Sequence, residues 1–196
     1  MLWCMGFDVR PAAVFDDVRQ VLGPKRPDAN VCWCLSYRIP SRQNLELRGP
    51  ARGELVAQLC SRDLAPGVLA YDGDVPVGWA GVAPRAELSS FARANSRIPH
   101  LDDLPVWTVW CFRTRAGNRG RGIAHALLQG AVEFARSHGA PVVEGYPLDN
   151  RGERVDLTMG YVGTRQLFER AGFTWASDTQ SVLNGFPRVV MRLDLR

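Results

Sequence analysis

Apolar positions recur at helical spacing in several stretches of the chain and alternate in others, and the two periods divide it into elements. Residues 11–23 predict a helix: Val14, Val18, Val21 and Leu22 share one face, Pro11 suits the first turn, and Gly23-Pro24 stops it. Residues 31–39 alternate loosely and predict a strand. Residues 50–64 predict a second helix with Leu55, Val56 and Leu59 inward. Next comes a hairpin, residues 68–71 and 75–82 about the turn signal Asp72-Gly73, a pair that tolerates the positive backbone angles of a tight turn. Residues 84–104 are polar and irregular, with a short helix expected around 86–94. Residues 106–114, rich in aromatic and β-branched side chains, predict a strand. The strongest helical pattern covers 120–138, where Ala124, Leu127, Leu128, Ala131 and Ala135 form an apolar stripe opposite Gln129, Glu133 and Arg136. A strand at 140–146, a short helix at 164–171 closed by Gly172, and strands at 173–177 and 188–195 complete a mixed α/β reading, taken as one domain over residues 1–196.

Composition narrows the classes. Hydrophobic residues at 46% and charged residues at 22% are those of a soluble globular protein. No apolar run reaches the roughly 18 residues of a membrane span, and the start lacks the pattern of a signal peptide. The five cysteines (Cys4, Cys32, Cys34, Cys60, Cys111) show no framework spacing and read as reduced thiols of a cytoplasmic protein. The net charge of +4 is carried almost wholly by arginine, Lys25 being the only lysine. No basic stripe interleaved with aromatics accompanies it, so nucleic acid is not the expected partner.

The chemistry concentrates between the strand ending at Thr114 and the long helix. Arg115, Ala116, Gly117, Asn118, Arg119, Gly120, Arg121 and Gly122 make a strand-turn-helix junction. The first N–H groups of a helix have no internal partner, and its dipole adds about half a positive charge there. Glycine lets an anion approach the backbone, and Arg119 and Arg121 offer charge-assisted bonds. The glycines lack dinucleotide-fingerprint spacing, and no Gly-Lys-Ser/Thr ending makes a P-loop. Read alone, the junction is a generic anion site, a simple turn, or an Arg-Gly-Arg-Gly arm for nucleic acid, the last disfavoured by the amphipathic helix that follows at once.

Its surroundings make it specific. Arg119-Gly120-Arg121-Gly122-Ile123-Ala124, followed by Ala126-Leu127-Leu128, resembles the acyl-CoA motif of the GNAT superfamily of N-acetyltransferases. The hairpin ending Val77-Gly78-Trp79-Ala80-Gly81-Val82 is similar to that family's second and third strands, and Leu167-Phe168-Glu169-Arg170-Ala171-Gly172-Phe173 to its short helix ending in Gly-Phe. The resemblance covers about residues 67–195, with helices and the first strand expected before it. It implies a central, mostly antiparallel twisted sheet with splayed fourth and fifth strands and flanking helices. It also implies acetyl-CoA as acyl donor, with Phe112, Arg113 and Thr114 beside the pantetheine and acyl carbonyl. Arg119, Gly120, Arg121, Gly122, Ile123 and Ala124 would hold the pyrophosphate, and Phe168 would pack near the thiol end.

Amine acylation needs a neutral amine, a polarised thioester and a proton for the thiolate, tasks commonly given to a carboxylate and a tyrosine. Many relatives carry the acid tyrosine at the position of Phe168 and some carry a base glutamate at that of Thr108, so both groups must be sought elsewhere. Glu144 and Tyr146, two apart on the fifth strand, share a face and are candidates; a salt-bridged strand carboxylate and a packed core tyrosine are the alternatives. Tyr161 is a second candidate acid. The acceptor side is expected from the region before the hairpin, from 84–104 and from 178–187. There Asp102 and Asp103 either recruit an amine or are solvated loop charges, and Trp107 and Trp110 either line a pocket or are core. Cys32-Trp33-Cys34 reads as buried thiols, and no metal site is expected because His100, His125 and His138 supply no paired ligand spacing. The function expected is N-acyltransfer from acetyl-CoA to an amine of a small molecule or protein, with a catalytically silent acyl-CoA sensor as the alternative and neither membrane nor nucleic acid as partner. A homodimer is one assembly open to the chain.

Overall fold

The computed structural model describes residues 6–26, 29–93, 96–156 and 160–196. Seven strands form one sheet in the order β1-β2-β3-β4-β5-β7-β6, comprising β1 (Asp8–Pro11), β2 (Gly67–Asp72), β3 (Val75–Pro84), β4 (Trp107–Thr114), β5 (Val142–Gly145), β6 (Thr174–Leu183) and β7 (Phe186–Asp194). All neighbouring strands are antiparallel except β4 and β5. Helices α4 (Ile123–Ser137) and α5 (Arg165–Arg170) cover one face, and α1 (Phe15–Leu22) with α3 (Pro50–Cys60) covers the other; α2 (Ser41–Glu46) buries no residue of its own.

The hairpin forms where Asp72-Gly73 predicts it, with Gly73 at φ 60°. Helix α4 buries Ile123, Ala126, Leu127, Leu128, Ala131, Val132, Phe134 and Ala135, a wider face than the expected stripe and typical of a helix lying flat on a sheet. Its start lies three residues later than expected because Gly120 and Gly122 hold positive φ, which ends the turn before the helix can begin. At α5 the Thr164 side chain accepts the Leu167 N–H, a capping bond that fixes where the short helix begins.

Four expectations are corrected. Residues 31–39 are not the first strand: Trp33 and Cys34 both adopt left-handed φ (52° and 55°), which breaks an extended run, and the segment is a set of turns. The first strand is β1, ahead of α1: Pro11 ends it, the chain bends at Ala12, and the helix begins only at Phe15. The helix expected at 86–94 is only a 3-10 turn at Arg85–Glu87, its far end at Ala94 lying outside the described residues. The cysteines do not all stand as free thiols. Cys34 and Cys111 are joined, their Cα atoms 6.5 Å apart, a separation suited to a disulfide. Cys32 is exposed rather than buried; Cys60 is buried and free, and Cys4 lies outside the described residues.

A bulge in the β3–β4 ladder re-aims the side chains of β4. The register shifts between Gly81 and Val82, so Trp110 is the extra residue on β4 and packs with Cys111 toward the α1/α3 face. A Cβ on Gly81 would stand 2.6 Å from the Trp110 ring, so only glycine fits opposite the bulge.

Candidate active site

Strands β4 and β5 pair only from Trp107–Val143 to Val109–Gly145 and then part. Phe168, with no exposed surface, packs at the parting point: a Cβ on Gly145 would sit 2.1 Å from its ring, and its centroid lies 6.0 Å from that of Phe112 and 5.0 Å from that of Phe173. Beyond Val109, β4 continues with one edge on β3, where the Arg115 N–H donates to the Val77 carbonyl at 2.8 Å. Strand alternation therefore turns the backbone groups of Phe112 and Thr114 the other way, into the gap, while those of Arg113 face β3. The Phe112 N–H donates to the Tyr161 carbonyl at 2.6 Å.

The turn at the end of the gap has the properties of an anion site. Gly122 (φ 81°, ψ 5°) precedes Ile123, no side chain caps the helix, and no acidic residue occupies its first turn. The leading N–H groups thus meet neither a capping oxygen nor a repelling carboxylate. Arg119, Gly120, Arg121 and Gly122 are exposed, Ala124 is half-buried, and Ile123 is buried under the hairpin at Gly78. Arg121 is partly committed elsewhere: its guanidinium bonds Asn118 and Asp72, each at 2.8 Å, and lies over the Phe7 ring. This ties the turn to the β2–β3 hairpin.

On the α1/α3 face, a pocket of about 210 Å³ opens between the 32–37 turns and β4. Trp110, Tyr37, Tyr161, Arg113 and the Cys34–Cys111 pair are in its wall. The hydroxyls of Tyr37 and Tyr161 lie 3.1 Å apart, and Arg188 Nη1 donates to the Tyr37 hydroxyl at 3.2 Å. Burial, then the neighbouring Tyr37, push the Tyr161 hydroxyl well above the ordinary tyrosine range, so it keeps its proton at neutral pH. Tyr161 therefore links the two places: its carbonyl is bonded to the β4 edge, and the residue lines the pocket with its hydroxyl against that of Tyr37.

Glu144 and Tyr146 do share a face, and the Tyr146 hydroxyl donates to Glu144 Oε2 at 2.9 Å. They lie in a sealed cluster away from the pocket wall: Glu144 is fully buried, 3.3 Å from both Arg85 and Arg192. The Arg192 contact has the distance of an ion pair but not the alignment of a hydrogen bond, leaving Glu144 Oε1 unbonded. Burial raises the Glu144 carboxyl above its usual range, against the opposing pull of Tyr146, Arg85 and Arg192. Arg85 also donates to the carbonyls of Phe91, Ile98 and Pro99, so the cluster pins the long loop before β4 to the sheet. Asp102 is likewise structural, 2.6 Å from Arg192 and accepting the Leu104 N–H. Trp110 lines the pocket, whereas Trp107 packs in the core against Phe134 and His138. His100 contacts the Phe91 carbonyl, and among the described residues no three His, Cys, Asp or Glu side chains gather as a metal set.

Tyr37 and Arg188 join the site without having been expected from the sequence. Arg188 carried a usable signal, an arginine inside the apolar run of β7; Tyr37 carried none, since its neighbours read as a strand.

The profile of the acetyltransferase (GNAT) family matches residues 35–152, more than half the chain. The chain belongs to the GNAT family. No curated protein matches the sequence. Among solved structures, a Desulfovibrio desulfuricans protein assigned to the GNAT acetyltransferases is 16% identical, with a TM-score of 0.57 over 97% of this chain and 99% of its own. A GNAT acetyltransferase from Bacillus cereus is 12% identical (TM-score 0.54; 97% and 99% covered), and a chain of the NatC complex bound to Gag peptide and CoA is 14% identical (0.53; 98% and 100%). These likenesses show the fold. GNAT membership carries acyl transfer from an acyl-CoA to an acceptor as the general chemistry. No helix among the described residues is long and apolar enough to cross a membrane.

Proposed function

We propose that this GNAT protein transfers an acetyl group from acetyl-CoA to an amine. The observation that carries the reading is the position of Tyr161, which bonds the open β4 edge through its carbonyl and lines the pocket, its hydroxyl beside that of Tyr37. The uncapped start of α4 receives the pyrophosphate, with Arg119 and the N–H groups from Gly120 to Ala124 around it. The Phe112 and Thr114 backbone groups hold the pantetheine arm and the thioester carbonyl; the arm takes the Phe112 N–H that the Tyr161 carbonyl now accepts. The amine enters from the pocket on the opposite face, beside Trp110.

In the chemical step the amine nitrogen attacks the thioester carbonyl carbon, the carbon–sulfur bond breaks, and the thiolate takes a proton. Tyr161 is the proposed donor of that proton, its hydroxyl being neutral and next to the Tyr37 hydroxyl. Among the described residues the pocket wall holds no carboxylate, so water is the proposed acceptor of the amine proton, and positioning supplies most of the rate. Glu144 and Tyr146 act by positioning, through the loop that Arg85 holds.

Thiol release from acetyl-CoA, measured with a broad panel of amines, tests the reading. Amine-dependent release with a matching acetylated product supports it. CoA binding in the micromolar range with no release across the panel contradicts it and favours a silent acyl-CoA sensor.

A further inference from the structure

The pocket beside Tyr161 has an unusual charge balance. Arg113 lines it, is exposed, and has no carboxylate within 4 Å among the described residues. Behind the Tyr37 wall lies Arg188, 3% exposed, its Nε on the Tyr146 carbonyl and its Nη1 on the Tyr37 hydroxyl. Its Nη2 is buried with no hydrogen-bond partner, and among the described residues no acidic side chain is paired with it. Three nearby acids are paired elsewhere: Glu87 with Arg38 and Arg62, Glu144 with Arg85 and Arg192, and Asp149 with Arg165. None of the described residues that line the pocket is acidic.

A buried cation left without a counter-charge is costly, and a site that holds one favours an anion arriving from solution. The same field disfavours an ammonium ion and so favours the neutral, nucleophilic form of an amine. A polyamine would bring further positive charge to a pocket with none of the opposite sign. The rest of the wall is apolar or aromatic, from Trp110, the two tyrosine rings and the Cys34–Cys111 pair.

Resting on the acyl-transfer reading, we propose that the acceptor is an amino-acid-like amine, with a carboxylate held by Arg113 and an apolar or aromatic side chain against Trp110. The guanidinium gives a planar, two-pronged contact to the carboxylate, and Arg188 adds attraction through the Tyr37 hydroxyl.

The test uses matched acceptors with saturating acetyl-CoA and reads thiol release: L-phenylalanine against 2-phenylethylamine, L-leucine against 3-methylbutylamine, and spermidine. The expected result is at least a tenfold higher kcat/KM for the carboxylate-bearing member of each pair, with spermidine the poorest acceptor. Arg113→Gln, at an exposed position where folding is undisturbed, is expected to bring each ratio near one by raising KM for the carboxylated amine, and Arg113→Lys to restore part of it. Ratios at or below one, or a preference for spermidine, overturn this inference and leave acyl transfer standing. Release with no amine of either kind overturns both. Ratios unchanged in Arg113→Gln overturn the assignment of the carboxylate to Arg113.

Discussion

Gly122→Glu tests the proposed donor site at an exposed backbone position. Gly122 sits at φ 81° immediately before α4. Any side chain there costs roughly 1 kcal/mol of backbone strain, which falls on folding rather than binding. The carboxylate has a larger effect on the ligand. Against the two negative charges of a pyrophosphate about 6 Å away, an effective dielectric of about 20 gives roughly 5 kcal/mol of repulsion. Solvent exposure and salt reduce this to about 2–3 kcal/mol, a loss of roughly 30- to 150-fold in affinity. No acidic residue in the first turn of α4 already repels the ligand, so the added charge is felt in full. Isothermal titration of CoA into wild type, Gly122→Ala and Gly122→Glu separates the two contributions. The alanine variant should lose stability with a change in Kd of under about threefold, while the glutamate variant should lose both. A Gly122→Glu protein that folds and binds CoA within threefold of wild type would refute the placing of the pyrophosphate.

The same geometry sets further expectations. Tyr161→Phe keeps the ring and the Phe112–Tyr161 backbone bond but removes the proton donor, so kcat should fall by about 10²-fold or more with little change in KM for acetyl-CoA; steady-state kinetics within threefold of wild type would remove Tyr161 from the mechanism. Glu144 has a raised folded-state pKa, so its protonated form is the one the fold favours. Its contribution is present below the ordinary carboxylate range and lost as pH rises through the raised value, and denaturant titrations from pH 4.5 to 7 should show wild type losing stability relative to Glu144→Gln. A pH-independent difference would contradict this. Alkylation at pH 8 under non-reducing conditions should modify exposed Cys32 and spare Cys60, whose thiol burial pushes up to about 11. Peptide mapping should find Cys34 and Cys111 protected until reductant is added; free labelling of both would contradict their pairing.

The strand-turn-helix junction proposed as the donor half of the site was legible in the sequence because it is local. A strand, three glycines and an amphipathic helix within residues 107–137 determine their own geometry, with the helix beginning at Ile123. Phe168 was legible for the same reason, through the short helix and its closing Gly-Phe, although the ring's fit over Gly145 needs the fold. The pocket proposed for the acceptor depends on chain segments far apart: Tyr37, Trp110, Tyr161 and Arg188 come from four places, joined by a bulge and by turns that the alternation of residues 31–39 concealed. Left-handed angles at Trp33 and Cys34 have no signature in residue type, since neither side chain favours them. The disulfide was invisible for a related reason, its partners being 77 residues apart and brought together by that same turn. Glu144 and Tyr146 were found as a pair, but only the positions of Arg85 and Arg192 show that the pair faces inward.

Acyl transfer at this site requires the gap between β4 and β5 to hold the thioester beside Tyr161, and a crystal structure of the protein with CoA tests that most directly. The expected density places the pyrophosphate at the N–H groups from Gly120 to Ala124, the pantetheine along the Phe112 and Thr114 edge with the Phe112 N–H released by the Tyr161 carbonyl, and the sulfur within hydrogen-bond reach of the Tyr161 hydroxyl. CoA bound on another surface, or a sulfur turned away from the pocket wall, would contradict it.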